Sequence, residues 1–83
     1  MNVLVVDDSA TVRVFLKSIL NSLNHVVFEA RNGEEAIEMY KKNNIDLISM
    51  DIEMPGMNGY LVSKIIREYE SVNNKEKNVP IEI

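Results

Sequence analysis

The feature that most constrains this 83-residue chain is the regular alternation of short apolar segments with longer amphipathic segments. The short segments are rich in β-branched residues, which is typical of strands buried on both faces. The longer segments repeat apolar residues every three or four positions, which is typical of helices packed along one side. The predicted strands cover residues 2–6, 25–30, 45–51 and 79–83, and the predicted helices lie within residues 7–24, 34–44 and 60–72.

This alternation of strands and helices, joined by short links, predicts an α/β fold with a parallel sheet and helices on its faces. A length of 83 residues fits one small domain that covers residues 1–83. A content of 46% hydrophobic and 27% charged residues is ordinary for a folded domain.

Charge and composition exclude several classes of function. The net charge of −4 argues against a surface that binds nucleic acid, because such surfaces cluster lysine and arginine. The chain has no cysteine, which excludes disulfides and cysteine-based metal motifs. Since no apolar run approaches the roughly 18 residues of a membrane helix, and no basic leader precedes the first strand, we expect no membrane partner and a cytoplasmic location.

Carboxylates follow two of the predicted strands directly. Asp7 and Asp8 end the first strand, and Asp51 ends the third. In open parallel sheets, ligands bind beyond the carboxyl ends of the strands, where the strand order reverses. If the first and third strands are neighbours, three carboxylates meet there, repel one another, and are relieved by a hard divalent cation such as Mg²⁺. The alternative is that they are solvated strand ends.

Such a site suits phosphoryl transfer. Asp51 could attack a phosphorus atom as a carboxylate nucleophile and form an acyl phosphate. The cation would neutralise the charge that develops on the transferred group.

Three segments carry a resemblance to a known family, namely "VLVVDDSATVR", "NGEEAI" and "DLISMDIEMPGMNG". With these segments the chain resembles the receiver domains of two-component response regulators, over residues 2–81. The resemblance implies a flavodoxin-like, doubly wound parallel sheet with the strand order 2-1-3-4. The chemotaxis member of this family is a standard example of that order, which is therefore carried over and not worked out from the residues.

The resemblance also implies roles for single residues. Asp51 matches the phosphoacceptor, and Asp7 and Asp8 match the acidic pair that holds Mg²⁺ directly or through water. Glu53 matches the position whose backbone carbonyl completes the metal site. Pro55 and Gly59 match the loop that shapes the site. The phosphodonor would be a phosphohistidine on a sensor histidine kinase or a phosphotransfer protein, or a small phosphodonor.

Complete receivers continue beyond the fourth strand with a fourth helix, a fifth strand and a fifth helix. In complete receivers this later part of the chain also contributes a serine or threonine and a lysine that bind the phosphoryl oxygens. We therefore expect a receiver fragment that ends at the start of strand four, is impaired in phosphorylation and switching, and belongs to a parent protein with an unknown output domain. The sheet face beside the first helix would be uncovered, with Leu47 or Ile48 exposed on it, and the fragment would form a homodimer.

Two other functions compete with the signalling receiver. An aspartate-nucleophile phosphatase of the haloacid dehalogenase type would carry Asp-x-Asp after its first strand, whereas Asp51 and Glu53 follow the third. A half-receiver could instead act only as a self-associating scaffold. We expect no enzyme, a surface role for His25, and a solvated position for Arg13 on the first helix.

Overall fold

The computed structural model describes residues 1–73 and 78–83. It contains four strands, β1 to β4, and three helices, α1 to α3, which alternate along the chain. Their bounds in chain order are β1 Asn2–Val6, α1 Ala10–Ser22, β2 Val26–Ala30, α2 Gly33–Lys42, β3 Leu47–Met50, α3 Gly59–Val72 and β4 Ile81–Glu82. The sequence of residues 73–78, NNKEKN, predicts a polar loop, and residues 74–77 of it lie outside the described residues.

The strands form one parallel sheet with the order β2-β1-β3-β4, which confirms the predicted fold class and strand order. Val6 of β1 pairs with Ala30 of β2 on one side and with Met50 of β3 on the other. The first three strands therefore end at the same level. The strand order reverses between β1 and β3, which is where the fold places ligands.

Short polar side chains set where the helices begin. Ser9 caps α1 by accepting a hydrogen bond from the amide of Val12, and Asn32 caps α2 by accepting one from Glu35. Because Asn32 is the cap, α2 begins at Gly33, one residue before its predicted start. β4 begins at Ile81, two residues later than predicted, because Pro80 has no amide hydrogen to donate to the sheet.

The core lies between the sheet and the pair α2 and α3. Alternate residues of β1, Leu4 and Val6, join Ile48 and Met50 of β3 in one buried apolar cluster with residues of these two helices. The prediction that Ile48 is exposed was wrong, because the side-chain alternation of a strand places it on this covered face, where it is 0% exposed. Leu47 is half-buried.

The opposite face of the sheet carries α1, which packs beside β1 and β2. None of its residues is buried. Its apolar stripe, which extends to the C-cap residue Leu23, is substantially exposed, at 40% for Val12, 64% for Phe15, 42% for Ile19 and 60% for Leu23. These four residues, called the α1 stripe below, form a continuous apolar strip along the outside of the helix.

Candidate functional site

The carboxylates of Asp7, Asp8 and Asp51 meet at the carboxyl end of the sheet. One oxygen from each lies within 4.8 Å of the others. Backbone pairing produces this arrangement, since the amide of Asp51 donates to the carbonyl of Val6 at 3.0 Å and the amide of Asp7 donates to Ala30 at 3.1 Å. The three acids that the sequence places at two strand ends therefore lie side by side.

The three carboxylates differ in their surroundings. The Oδ1 atom of Asp7 accepts a hydrogen bond from the amide of Ser9 at 2.9 Å, which ties this half-buried side chain to the start of α1. Asp8 is exposed to solvent, and Asp51 is half-buried. Asp8 is therefore the most open of the three toward a ligand, while Asp7 and Asp51 each have one oxygen engaged by a backbone amide.

Electrostatics at the cluster favour the binding of a cation. Burial first, and then the neighbouring charges of Asp7 and Asp8, raise the pKa of Asp51 above its ordinary value. A hydrogen bond from the amide of Glu53 to Asp51 Oδ1, at 3.2 Å, opposes the rise in this pKa in part. Converging carboxylate oxygens that repel one another are a hard, all-oxygen donor set, and this set fits Mg²⁺.

The loop of residues 51–58 lies beside the cluster and is fixed at its far end by α3. The amide of Gly59 donates to the carbonyl of Ile52 at 3.0 Å, and the side chain of Asn58 caps the helix. A β-carbon at Gly59 would lie 2.5 Å from the carbonyl oxygen of Asp51, so only glycine permits this close approach. The side chain of Glu53 is exposed and its carboxylate lies outside the three-acid cluster, so it is the backbone of Glu53 that the loop places next to Asp51.

An open cavity of 370 Å³ adjoins Asp51. It has room for a small anionic group beside the carboxylate. Its lining is Met50, Asp51, Ile52, Glu53 and Ile83.

Arg13 belongs to this region, although the sequence predicted a solvated side chain. Its Nη1 atom donates to the backbone carbonyl of Asp7 at 2.6 Å, and its Nε atom pairs with Glu29 of β2 at 3.4 Å. Only 16% of the side chain is exposed. Arg13 lies one helical turn after the cap Ser9, and helical side chains point back toward the N-terminus, so this spacing is the signal that predicts its reach to the strand end.

His25 lies away from the acids. Its Nδ1 atom is 3.1 Å from the amino group of Met1, at the start of β1 and the opposite end of the sheet from the cluster.

None of the helices in the described part of the chain combines the length and the apolar character that a membrane span requires.

Comparison with known proteins identifies the family. The model of the response regulator receiver domain family matches residues 3–81. The chain is 46% identical over 66 residues to the autoinducer 1 sensor kinase/phosphatase LuxN of Vibrio campbellii, covering 80% of this chain and 8% of LuxN.

Solved structures agree with this match. The response regulator TrrA of Thermotoga maritima in complex with Mg²⁺-BeF superposes with a TM-score of 0.80 at 40% identity, over 84% of this chain and 61% of that one. The co-crystal structure of the Saccharomyces cerevisiae phosphotransfer protein Ypd1 and the receiver domain of Ssk1 gives a TM-score of 0.92 at 31% identity, over 98% of this chain and 60% of that one. The chain spans less than two thirds of each of these proteins. Because the family model matches residues 3–81, the chain belongs to the response regulator receiver domain family.

Proposed function

We propose that this chain is a phosphoacceptor of two-component signalling, which takes a phosphoryl group onto Asp51. The observation that carries the proposal is the meeting of Asp7, Asp8 and Asp51 within 4.8 Å at the end of β1 and β3. The phosphodonor is a phosphohistidine on a sensor histidine kinase or a phosphotransfer protein. The similarity to a receiver crystallised with a histidine phosphotransfer protein supports this class of partner.

The residues of the site have different roles in metal binding and in phosphoryl transfer. Asp8, Asp51 and the carbonyl of Glu53 would hold Mg²⁺, and Asp7 would contribute through water while its own carboxylate is tied to Ser9. Mg²⁺, when bound, neutralises charge on the incoming phosphoryl group. A carboxylate oxygen of Asp51 forms the new bond to phosphorus, the bond from phosphorus to the histidine nitrogen breaks, and its electron pair stays on the imidazole. The similarity to a receiver solved with Mg²⁺-BeF supports the choice of metal.

We infer that the 83-residue polypeptide alone is modified slowly. No lysine or arginine of the described residues lines the cavity beside Asp51, so no positively charged side chain there stabilises the phosphoryl oxygens. Electrostatic stabilisation of the transition state usually contributes more to such catalysis than any other effect. We also propose that the chain is an acceptor and not an enzyme, and that it lies in the cytoplasm. The match to LuxN, which covers 8% of that protein, supports a receiver that is part of a larger signalling protein.

Incubation with a small phosphodonor and Mg²⁺, followed by intact-mass measurement, tests the acceptor role. We expect slow addition of a single phosphoryl group that depends on Mg²⁺ and is absent in Asp51→Asn. Asp46→Asn is the matched control, because Asp46 lies at the other end of β3 and accepts a hydrogen bond from the amide of Asn2. Modification that survives Asp51→Asn, or none after prolonged incubation, contradicts the proposal.

A second property is favoured by the α1 stripe. Exposed apolar strips of this kind mark association sites. In a symmetric dimer the same surface of both copies forms the contact, so the α1 stripe of a second copy can cover this one. We therefore infer that the 83-residue polypeptide forms a homodimer through α1. This property coexists with the acceptor role and by itself would make the chain a scaffold.

Sedimentation equilibrium at tens of micromolar tests the dimer. We expect a dimeric mass for the wild type and a monomeric mass for Phe15→Glu, whose charge would be buried in the contact. Val72→Glu is the matched control, because Val72 is 80% exposed on α3 and lies outside the α1 stripe. A folded, strictly monomeric wild type contradicts the inference.

A further inference from the structure

Gly33, the first residue of α2, is buried against the segment that follows Asp51. A β-carbon at this position would lie 2.9 Å from Cβ and 3.0 Å from Sδ of Met57, and 2.7 Å from a γ-carbon of Val62. Val62 is 0% exposed and has little space into which to move. The absence of a side chain at Gly33 is therefore what allows Met57 and α2 to touch.

Met57 is one of several attachments of the loop of residues 51–58. Others are the hydrogen bond from the amide of Gly59 to the carbonyl of Ile52, the cap that Asn58 forms on α3, and the side chain of Met54, which is 7% exposed in the core. Glu53 lies between Ile52 and Met54 and its own side chain is exposed. The backbone of Glu53 is thus held by its amide hydrogen bond to Asp51 Oδ1, at 3.2 Å, and by the attachments of its neighbours, and not by its exposed side chain.

We propose that Gly33 is a positioning residue for the divalent-metal site, which acts through Met57 on the loop that carries the Glu53 carbonyl. The inference rests on the proposed function, because only there is this carbonyl a metal ligand. Gly33 is not one of the acids that form the cluster. Its effect on the metal is indirect, as for the outer groups that orient metal ligands in proteins.

A purely structural role would act through the other neighbour, Val62. In that case a side chain at position 33 separates α2 from α3 and lowers the stability of the whole domain, with the loop unaffected. The role proposed here acts through Met57 and changes the affinity for metal. The two contacts are separable by mutation because they belong to different residues.

The test compares the Mg²⁺ dissociation constant, measured by NMR titration of the ¹⁵N-labelled full chain, with the stability measured by urea unfolding without metal. For Gly33→Ala we expect a roughly tenfold higher Kd. We also expect the amide signals of Ile52, Glu53, Met54, Gly56 and Met57 to differ from those of the wild type when no metal is present. Ile66→Val, a core change on α3 away from the loop, is the control and should lower stability with an unchanged Kd.

Two further variants keep the test decisive if Gly33→Ala does not fold. Met57→Ala removes the thioether that contacts α2 and should also raise the Kd. The double variant Gly33→Ala with Val62→Ala relieves the contact with α3 only, so its loss of stability should be smaller than the sum of the two single losses, while the Kd stays high.

An unchanged Kd in Met57→Ala or in folded Gly33→Ala, or a wild-type Kd in the double variant, overturns the inference alone. A wild-type chain that binds no Mg²⁺ overturns the proposed metal site and this inference with it.

Discussion

The hydroxyl of Tyr40 donates a hydrogen bond of 2.7 Å to the carboxylate of Glu70, and this buried contact joins α2 to α3. Glu70 is 1% exposed, and the amide of Val79 donates to the same carboxylate at 2.7 Å. Arg67 pairs with it at 2.7 Å. The Glu70 carboxylate therefore connects α2, α3 and the segment that enters β4. β4 is the edge strand of the sheet.

Replacing Tyr40 by phenylalanine removes one donor from this buried carboxylate. We expect the free energy of unfolding to fall by about 1.5–3 kcal/mol, the range for a hydrogen bond to a charged group. Urea unfolding followed by circular dichroism measures the change. Tyr60→Phe is the matched control, because Tyr60 is 62% exposed, and it should leave stability unaltered. Equal effects of the two changes would contradict a special role for the buried contact.

The stability of the domain should also fall in acid because of Glu70. Burial raises the pKa of Glu70, but hydrogen bonds from Val79, Tyr40 and Arg67 outweigh burial and leave this pKa below its ordinary value of 4.5. A carboxyl whose pKa is lowered by folding stabilises the fold fully above its unfolded pKa. That contribution is lost as the pH falls through the lower, folded pKa.

We therefore expect stability to decline below about pH 4.5 with a slope that Glu70→Gln reduces. Unfolding curves between neutral pH and about pH 3 measure the slope. Asp51 contributes with the opposite sign, since its raised pKa makes protonation favour the fold. Asp51→Asn should therefore steepen the acid decline, and a slope that does not respond to Glu70→Gln would contradict the assignment.

Residues whose roles follow from local patterns were predictable from the sequence. The alternation of strand and helix patterns indicated the fold class. The acids after β1 and β3 indicated that Asp7, Asp8 and Asp51 would meet if these strands are neighbours, because strand ends coincide at one edge of a parallel sheet. The strand order itself came from the family resemblance.

Residues whose roles depend on tertiary contacts were not predictable. In the sequence, Glu70 cannot be distinguished from the other charged residues of an amphipathic helix. It becomes a buried hydrogen-bond acceptor only through its contacts with α2 and with the segment before β4. The same holds for Gly33, whose neighbours come from α3 and from the loop before it. The exposure of Ile48 was predicted wrongly. The register of the strands decides which face of β3 lies toward α2 and α3, and the sequence alone does not give that register.

Removal of charge from the acidic cluster should change stability in a metal-dependent way. Without metal, Asp51→Asn relieves the repulsion with Asp7 and Asp8, so we expect a higher melting temperature than for the wild type. With Mg²⁺ in excess, binding to the folded state should raise the melting temperature of the wild type and not that of the variant. Melting curves with EDTA and with millimolar Mg²⁺ measure both effects, and a wild type that is unaffected by Mg²⁺ would contradict the metal site.

Arg13 offers a separate test of how the acidic pair is held in place. Arg13→Ala removes the hydrogen bond to the carbonyl of Asp7 and the pairing with Glu29, and we expect a loss of about 1–2 kcal/mol because the donor is charged and mostly buried. Lys17→Ala is the matched control. Lys17 pairs with the same Glu29 at 3.4 Å but is 46% exposed, so its loss should cost below about 0.5 kcal/mol.

Metal titration separates position from charge at Arg13. Deletion of a nearby positive charge alone would tighten the binding of Mg²⁺, whereas displacement of the Asp7 backbone would weaken it. Because the bond from Arg13 goes to the carbonyl of Asp7 itself, we expect displacement to prevail and the Mg²⁺ dissociation constant to rise. Arg13→Lys keeps the charge but loses the planar geometry that reaches both partners, so its dissociation constant should rise as well. Tighter binding in Arg13→Ala would show that charge alone links Arg13 to the site.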